Sequence, residues 1–273
     1  MGHPLTVAVR ALTWNLFHGR DFPPNPALRT WRSRLTGRTE RDATHVQVNR
    51  DLRDEFAALV AGWSWDVALL QECPPRWSRA LAAACDAAAH RVLTSRNWLL
   101  PITSAIAARN PDLIASWEGG SNLTLVRGVR VEERRSLLLR RLPERRMAAL
   151  TRLDTGLCVA NLHASGPDPL AEREISAAAR LASEWAAGGP LILGGDLNLR
   201  PEDSSMFAEL ERSFGFTPPT PGSIDHVLGR GLALVEPPRA LAPEEREVKL
   251  GGLAVRLSDH APVAAAFRDN LRD

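Results

Sequence analysis

Apolar and polar positions alternate over residues 5–14, a stretch rich in β-branched side chains, which predicts a strand ending at Asn15. Over residues 18–45 the periodicity is lost and Pro23, Pro24, Pro26 and Gly37 interrupt the chain, so a long excursion is expected. Leu52, Phe56, Leu59 and Val60 then return at helical spacing, and the apolar run 66–70 reads as a strand that stops at Gln71 and Glu72. Pro74 and Pro75 suit the first turn of a helix with Trp77, Leu81 and Cys85 on one face. Further strands are predicted at 123–126, 147–153 and 157–162. An Ala-rich helix follows, from about 169 to 187, ended by Gly188-Gly189-Pro190. The run 191–193 reads as a buried strand leading into Gly194-Gly195-Asp196, and 224–228, 232–235 and 263–267 complete the set. Strands with interspersed helices predict an α/β (α+β) fold, a sheet core covered by helices. The pattern leaves open whether one sheet is built or two.

With 273 residues and 44% apolar composition, the chain can bury one large core, so a single domain over 1–273 is expected. No run reaches the roughly 20 apolar residues of a spanning helix, and Met1 to Leu5 lack the pattern of an export signal. These absences predict a soluble, cytoplasmic protein without a membrane anchor, taken to be a monomer. Cys73, Cys85 and Cys158 have no CxxC spacing and read as small buried hydrophobes, not as a disulfide framework or thiolate zinc site. The net charge of +2 is unevenly spread. Residues 18–50 hold seven Arg against three acids (7 − 3 = +4) and residues 127–146 eight Arg against three (8 − 3 = +5), leaving 2 − 9 = −7 elsewhere. Two basic stretches on an acidic body suit a polyanionic partner, and a solvated Arg-rich surface equally.

Polar residues recur where apolar strands stop: Asn15, Glu72, His163, Asp196 with Asn198, Asp225 with His226, and Asp259 with His260. Strand ends let a rigid scaffold aim side chains into one cleft. Singly, each is a turn former; together their composition selects a chemistry. Carboxylates and carboxamides without Cys are hard ligands for Mg²⁺ or Mn²⁺. Added histidines offer a base near neutral pH and a donor for a phosphoryl oxygen, the combination that phosphoester hydrolysis requires. Neither a G-x-S-x-G elbow nor a GxxxxGK[ST] loop is present, which argues against serine-nucleophile and P-loop chemistry.

In order along the chain, Thr13-Trp14-Asn15, Leu70-Gln71-Glu72, Asn161-Leu162-His163, Gly194-Gly195-Asp196-Leu197-Asn198, Ile224-Asp225-His226 and Ser258-Asp259-His260 resemble the motifs of the endonuclease/exonuclease/phosphatase superfamily, the DNase I-like fold. The resemblance implies a four-layer α-β-β-α sandwich of two packed, mostly antiparallel sheets, with the site at one end. It also implies Glu72, Asn15 and Asp259 as metal ligands and His260 as general base, held by Asp225. Asp196 and Asn198 would orient water and contact phosphate, and His163 would donate to a phosphoryl oxygen or protonate the leaving group.

One departure is Phe17, where abasic-site repair members carry Asp, which argues against that activity. His18, in Asn15-Leu16-Phe17-His18-Gly19, could reach the rim or serve the structure. Asn122 and Arg127 resemble a central strand that ends near the substrate, and an edge strand with a solvated Arg is the alternative. In the excursion, Trp31 stands among Arg29, Arg32 and Arg34, an interleaving that could pair with phosphates and stack on bases, although Trp31 could equally anchor the loop. Nucleic acid is thus the favoured substrate, with inositol phosphates, phospholipid headgroups or other small phosphoesters as the alternative, and a non-catalytic binding module, whose mark would be loss of a metal ligand or the base, ranks last because every central position is present.

Overall fold

Two β-sheets stacked face to face carry the apolar strands in the computed structural model, which describes residues 8–95, 97, 99–166 and 168–269. Residues 5–7 of the first expected strand lie outside the described residues. Along the chain run β1 (Val9–Asn15), β2 (Arg38–Thr39), β3 (Gln47–Val48), α1 (Arg53–Gly62), β4 (Val67–Gln71), α2 (Ser78–Ala84), β5 (Ala88–Thr94), α3 (Leu100–Arg109) and α4 (Pro111–Ile114). Then come β6 (Gly120–Val126), β7 (Val131–Arg140), β8 (Arg146–Leu153), β9 (Cys158–His163), α5 (Asp168–Ala186), β10 (Leu191–Asp196) and α6 (Met206–Phe214). The chain ends with β11 (Asp225–Arg230), β12 (Leu232–Ala240), β13 (Glu247–Leu250), β14 (Leu253–Arg256) and β15 (Val263–Asp269). One sheet has the order β12-β15-β1-β4-β6-β5 and the other β11-β10-β9-β8-β7. Within these two sheets β1 with β4 and β9 with β10 pair in parallel, and the other neighbours are antiparallel.

Alternate residues of the central strands serve different cores, which is why these strands read as continuous apolar runs. Val67, Leu69, Val159, Ile192 and Val227 meet between the sheets. Leu12, Trp14, Ala68 and Leu70 face outward, packing with Phe56, Val60, Trp77 and Leu81 from α1 and the α2 region. On the far side Ala160, Leu162, Leu191 and Leu193 pack with α5 and α6. Ala171, Ile175, Ala178, Ala179 and Ala182 form the inner stripe of α5, three to four residues apart, so small side chains let that helix lie close. Three apolar layers separated by two sheets give the four-layer sandwich.

Chain direction then gathers the polar strand ends. The parallel pair β1 and β4 sets Asn15 opposite Gln71, next to Glu72, and the parallel pair β9 and β10 sets His163 opposite Asp196. Because β11 runs antiparallel to β10, its first residue, Asp225, falls opposite Asp196. Because β15 runs antiparallel to β1, the segment preceding it brings Asp259 and His260 to the same end. Gly195 makes the close strand approach possible. Its φ is +140°, and a Cβ there would lie 1.8 Å from the Leu162 carbonyl oxygen.

Candidate active site

Asp196 is the hub of the cluster. Its Oδ2 accepts from Asn15 Nδ2 at 2.8 Å and lies 3.3 Å from His163 Nε2 and 3.8 Å from His260 Nε2, while Oδ1 accepts from the Asn198 amide at 3.1 Å. His260 Nδ1 meets Asp225 Oδ2 at 2.7 Å. Across the cleft, Glu72 Oε2 lies 3.3 Å from His18 Nε2, and Glu72 Oε1 lies 4.0 Å from His163 Nδ1. Asp259 Oδ1 is 3.8 Å from His260 Nε2. Asn15, Glu72, His163, Asp196, Asn198, Asp225, Asp259 and His260 are therefore brought to one end of the sandwich.

The supporting backbone is strained where these groups are presented. Five of the nine non-glycine residues with positive φ among the described residues (Phe17, His18, Glu72, Asn198 and Ser258) belong to the site's own segments, a concentration typical of over-determined functional sites. Beneath them lies a buried polar layer: Gln71 Nε2 donates to Asn161 Oδ1 at 2.8 Å, and Asn161 Nδ2 to Thr124 Oγ1 at 3.4 Å. Ser258 Oγ donates to the Asn15 carbonyl at 2.6 Å and accepts from the His260 amide at 3.1 Å, tying the last motif to the first.

The same contacts set the electrostatics. Burial opposes charge on His260, but the Asp225 hydrogen bond and charge, with Asp196 and Asp259, push its pKa up to about 10. Burial, with Arg146 nearby, takes His163 down to about 3, so this imidazole is neutral at physiological pH. Burial, then the Asp225 charge, raises Asp196. Glu72 is held well below the usual carboxylate range: burial works against its charge, and the His18 charge and hydrogen bond offset it.

A divalent cation fits this donor set. Glu72 and Asp259 keep side-chain exposures of 21% and 29%, and burial together with the Glu72 charge raises Asp259. Two carboxylates repelling across an open cleft are what a cation would neutralise. Ligand atoms of Asp196, Asp225 and His260 also lie within 4.8 Å of one another. In that trio, however, Asp225 and His260 are bound to each other and Asp196 to Asn15, which leaves Asp259 and Glu72 Oε1 as the freer donors, Glu72 Oε2 being paired with His18. The Asn15 amide bridges Asp196 and the Phe17 N–H. No thiolate competes, because burial pushes the neighbouring Cys73 up to about 12.

Other expected residues lie elsewhere. Arg127 sits at the opposite end of β6 from the site, its guanidinium 3.7 Å over Trp65. It donates to Ala61 and Trp63 carbonyls at the end of α1 and to Cys85 at the end of α2, so it secures two helix C-termini. Asn122 is fully buried beneath the site, donating to Met147 and Asn161 carbonyls. His226, adjacent to Asp225, is buried away from the cleft, bridging the Thr220 amide and the Leu199 carbonyl. Arg29 lies 4.0 Å over Phe22, Arg32 lies 5.3 Å from Trp31, and Trp31 is 69% exposed, so it does not anchor the loop. His18 is buried against Glu72, not at the rim. Arg146, which the sequence pattern did not single out, is 8% exposed near His163 with Nη1 unpartnered, and its position in an Arg-rich run gave no distinguishing signal.

Among the described residues, no helix is long and apolar enough to cross a membrane. No curated protein matches the chain in sequence. Solved structures share its fold at low identity. An endonuclease/exonuclease/phosphatase family protein from Bacteroides thetaiotaomicron superposes with a TM-score of 0.63 at 15% identity, covering 100% of this chain and 98% of that one. A mannosyl-6-phosphatase from the same organism gives 0.60 at 15% identity (95% and 99% covered), and TDP2 from Caenorhabditis elegans gives 0.55 at 16% (96% and 74%). The sequence profile of the Endonuclease/Exonuclease/phosphatase family matches residues 12–260, a span that contains the full polar cluster from Asn15 to His260, and the chain belongs to that family.

Proposed function

We propose that the chain is a divalent-metal-dependent phosphoester hydrolase in which His260 is the general base. The observation that carries this reading is the 2.7 Å contact of His260 Nδ1 with Asp225, which turns Nε2 toward Asp196 beside the Glu72–Asp259 pair. Glu72 and Asp259, with Asn15, would hold Mg²⁺ or Mn²⁺, which when bound neutralises charge on the phosphoryl group. Asp225 fixes the His260 ring and stabilises the imidazolium that forms when Nε2, in the fraction of molecules that carry no proton there, takes one from the attacking water; that fraction grows as pH rises. Asp196 and Asn198 orient that water and the phosphate, and neutral His163 donates a hydrogen bond to a phosphoryl oxygen.

Two substrate readings have support. Exposed Trp31 beside Arg32 favours nucleic acid, through stacking and phosphate pairing. Arg29 and Arg34 favour a small phosphoester, because both line a cavity beside the site. The fold neighbour named a mannosyl-6-phosphatase is consistent with the second reading. The test offers plasmid, single-stranded DNA, RNA, a simple diester and sugar or inositol phosphates with Mg²⁺ or Mn²⁺, to the wild type and to Glu72→Ala and His260→Ala. Metal-dependent turnover lost in both variants is expected; equal inactivity of all three proteins on every substrate refutes the proposal.

A further inference from the structure

Eleven large apolar side chains are exposed among the described residues, and seven of them fall in two segments, 31–35 and 99–117. Trp31 and Leu35 come from the excursion, and Leu99, Ile102, Ile106, Leu113 and Trp117 from α3, α4 and the turn that follows. The two segments meet, because Asn110 Nδ2 donates to the Arg34 carbonyl at 2.8 Å. Within them α3 is turned inside out. A surface helix normally sets its apolar stripe against the core and its polar face toward water. In α3 Ala107 alone is buried, while Ile102 and Ile106, one turn apart, face solvent with Leu99 before them. Ser104, on the inner side, lies within hydrogen-bonding reach of the buried Glu118. Helices of this length owe most of their stability to packing of an apolar face, so an apolar face turned outward calls for a partner that covers it.

Charge selects that partner. Residues 29–35 and 99–117 hold Arg29, Arg32, Arg34 and Arg109 against Asp112 (4 − 1 = +3). Asp112 is itself engaged by Arg20 and Gln47. The partner therefore has to take up aliphatic side chains and cations together. A nucleic acid pairs with Arg and stacks on Trp, but it gains nothing from Ile102, Ile106 or Leu113. A protein partner needs a pocket for each apolar anchor. Leu99, Ile102 and Trp117 are 71%, 58% and 65% exposed, so they stand out from the surface and do not line a groove. A fluid bilayer admits protruding Leu, Ile and Trp without matching pockets, and anionic headgroups satisfy the surrounding Arg. The face also adjoins the catalytic end. The Gly119 carbonyl, two residues after Trp117, lies 3.3 Å from His18 Nδ1, and a Cβ added to Gly120 would be 3.4 Å from Glu72 Cα.

We infer that this face docks the chain reversibly on an anionic lipid surface. Leu99, Ile102, Ile106 and Leu113 enter the headgroup boundary, Trp31 and Trp117 sit at its level, and the Arg side chains pair with lipid phosphates. Docking sets the catalytic end beside the membrane. It needs neither metal nor turnover, so it stands or falls separately from the catalytic proposal.

Flotation of the full chain in EDTA tests it, with vesicles of phosphatidylcholine alone or of phosphatidylcholine mixed with phosphatidylglycerol. Binding to the mixed vesicles is expected, stronger than to phosphatidylcholine alone and weakened by high salt. The double variant Ile102→Ser, Ile106→Ser should lower the partition coefficient at least about tenfold. Arg109→Glu should lower it several-fold, and it guards against misfolding of the first variant. All three positions are exposed, so Tm and circular dichroism should match the wild type. Absence of binding, equal binding to both vesicle types, or binding undiminished in the Ile variant overturns the inference. So does a dimer in light scattering that the Ile variant makes monomeric, which assigns the face to a second copy of the chain. Single-stranded DNA binding that the Ile variant loses overturns it as well. Each of these results leaves the catalytic proposal standing.

Discussion

Replacing Asp225 with Asn tests the His260 pair directly. The substitution preserves shape but removes the charge that His260 Nδ1 meets at 2.7 Å. His260 stands at about 10 against an ordinary 6.5 even though burial pulls it down, a difference of about 5 kcal/mol at 1.36 kcal/mol per pKa unit. Among the contributions that raise it, the Asp225 hydrogen bond and charge come before those of Asp196 and Asp259. A general base must be unprotonated to act, so kcat/KM rises with pH as His260 loses its proton. Without the Asp225 charge that loss occurs at lower pH. The acidic limb of the profile, measured for both proteins at the same saturating Mg²⁺, should therefore move toward acid by at least about one pH unit. The plateau should fall by up to about 10²–10⁴, the range that general acid–base catalysis contributes. Metal affinity by calorimetry should change less than about threefold, because Glu72 and Asp259 remain. A limb that stays in place while the rate falls would refute His260 as the base and leave Asp225 a merely structural role.

Asp21 gives a stability test of opposite sign. Burial raises its carboxyl from 3.8 to about 8, so between those values the folded chain keeps a proton that the unfolded chain has released, and stability falls as pH rises through that window. The unfolding free energy of wild type minus Asp21→Asn should decline from pH 4 to pH 9, by up to about 6 kcal/mol; a flat difference in urea titrations would contradict a buried, protonated Asp21. Gly195→Ala should lower stability by more than about 3 kcal/mol, read as a fall in Tm, since its Cβ would overlap the Leu162 carbonyl at 1.8 Å. Arg127→Ala should cost about 2–4 kcal/mol in denaturant melts by freeing three carbonyls at two helix ends, while leaving phosphoester turnover per folded molecule unchanged. A specific loss of turnover would return Arg127 to the substrate.

Strands buried on both faces were legible because each is a short unbroken apolar run, and β4, β9 and β10 lie within a residue or two of expectation at most boundaries. The edge strand β7 was not, since Glu132, Glu133, Arg134 and Arg135 read as a charged surface, and it is held by its antiparallel ladder with β8 and partial cover by α5. β5, α3, α6 and the β13–β14 hairpin were also missed, having short or mixed patterns that tertiary contacts decide. The polar cluster was legible for a topological reason. Each member ends or precedes a strand, and two parallel pairs with antiparallel flanks bring those ends to one edge. Arg127 belongs to a strand that enters the site at its other end, an inversion that no local pattern carries.

The excursion is where sequence reading lost its hold, and the reason bears on specificity. Its residues are paired by contacts without periodicity: Asp21 with Val48, Gln47 with Asp112 at a separation of 65 residues, and Asn110 with the Arg34 carbonyl at 76. A count of Arg beside Trp31 therefore says little about which cations face solvent and which face a cavity. In the fold they divide: Trp31 stands outward beside Arg32, whereas Arg29 and Arg34 line a cavity with Asp21 and Gln47. The polar cluster is thus set by strand ends that any chain with this topology can align. The excursion is instead held by aperiodic packing, which can change with little cost to the sheets that carry the polar cluster.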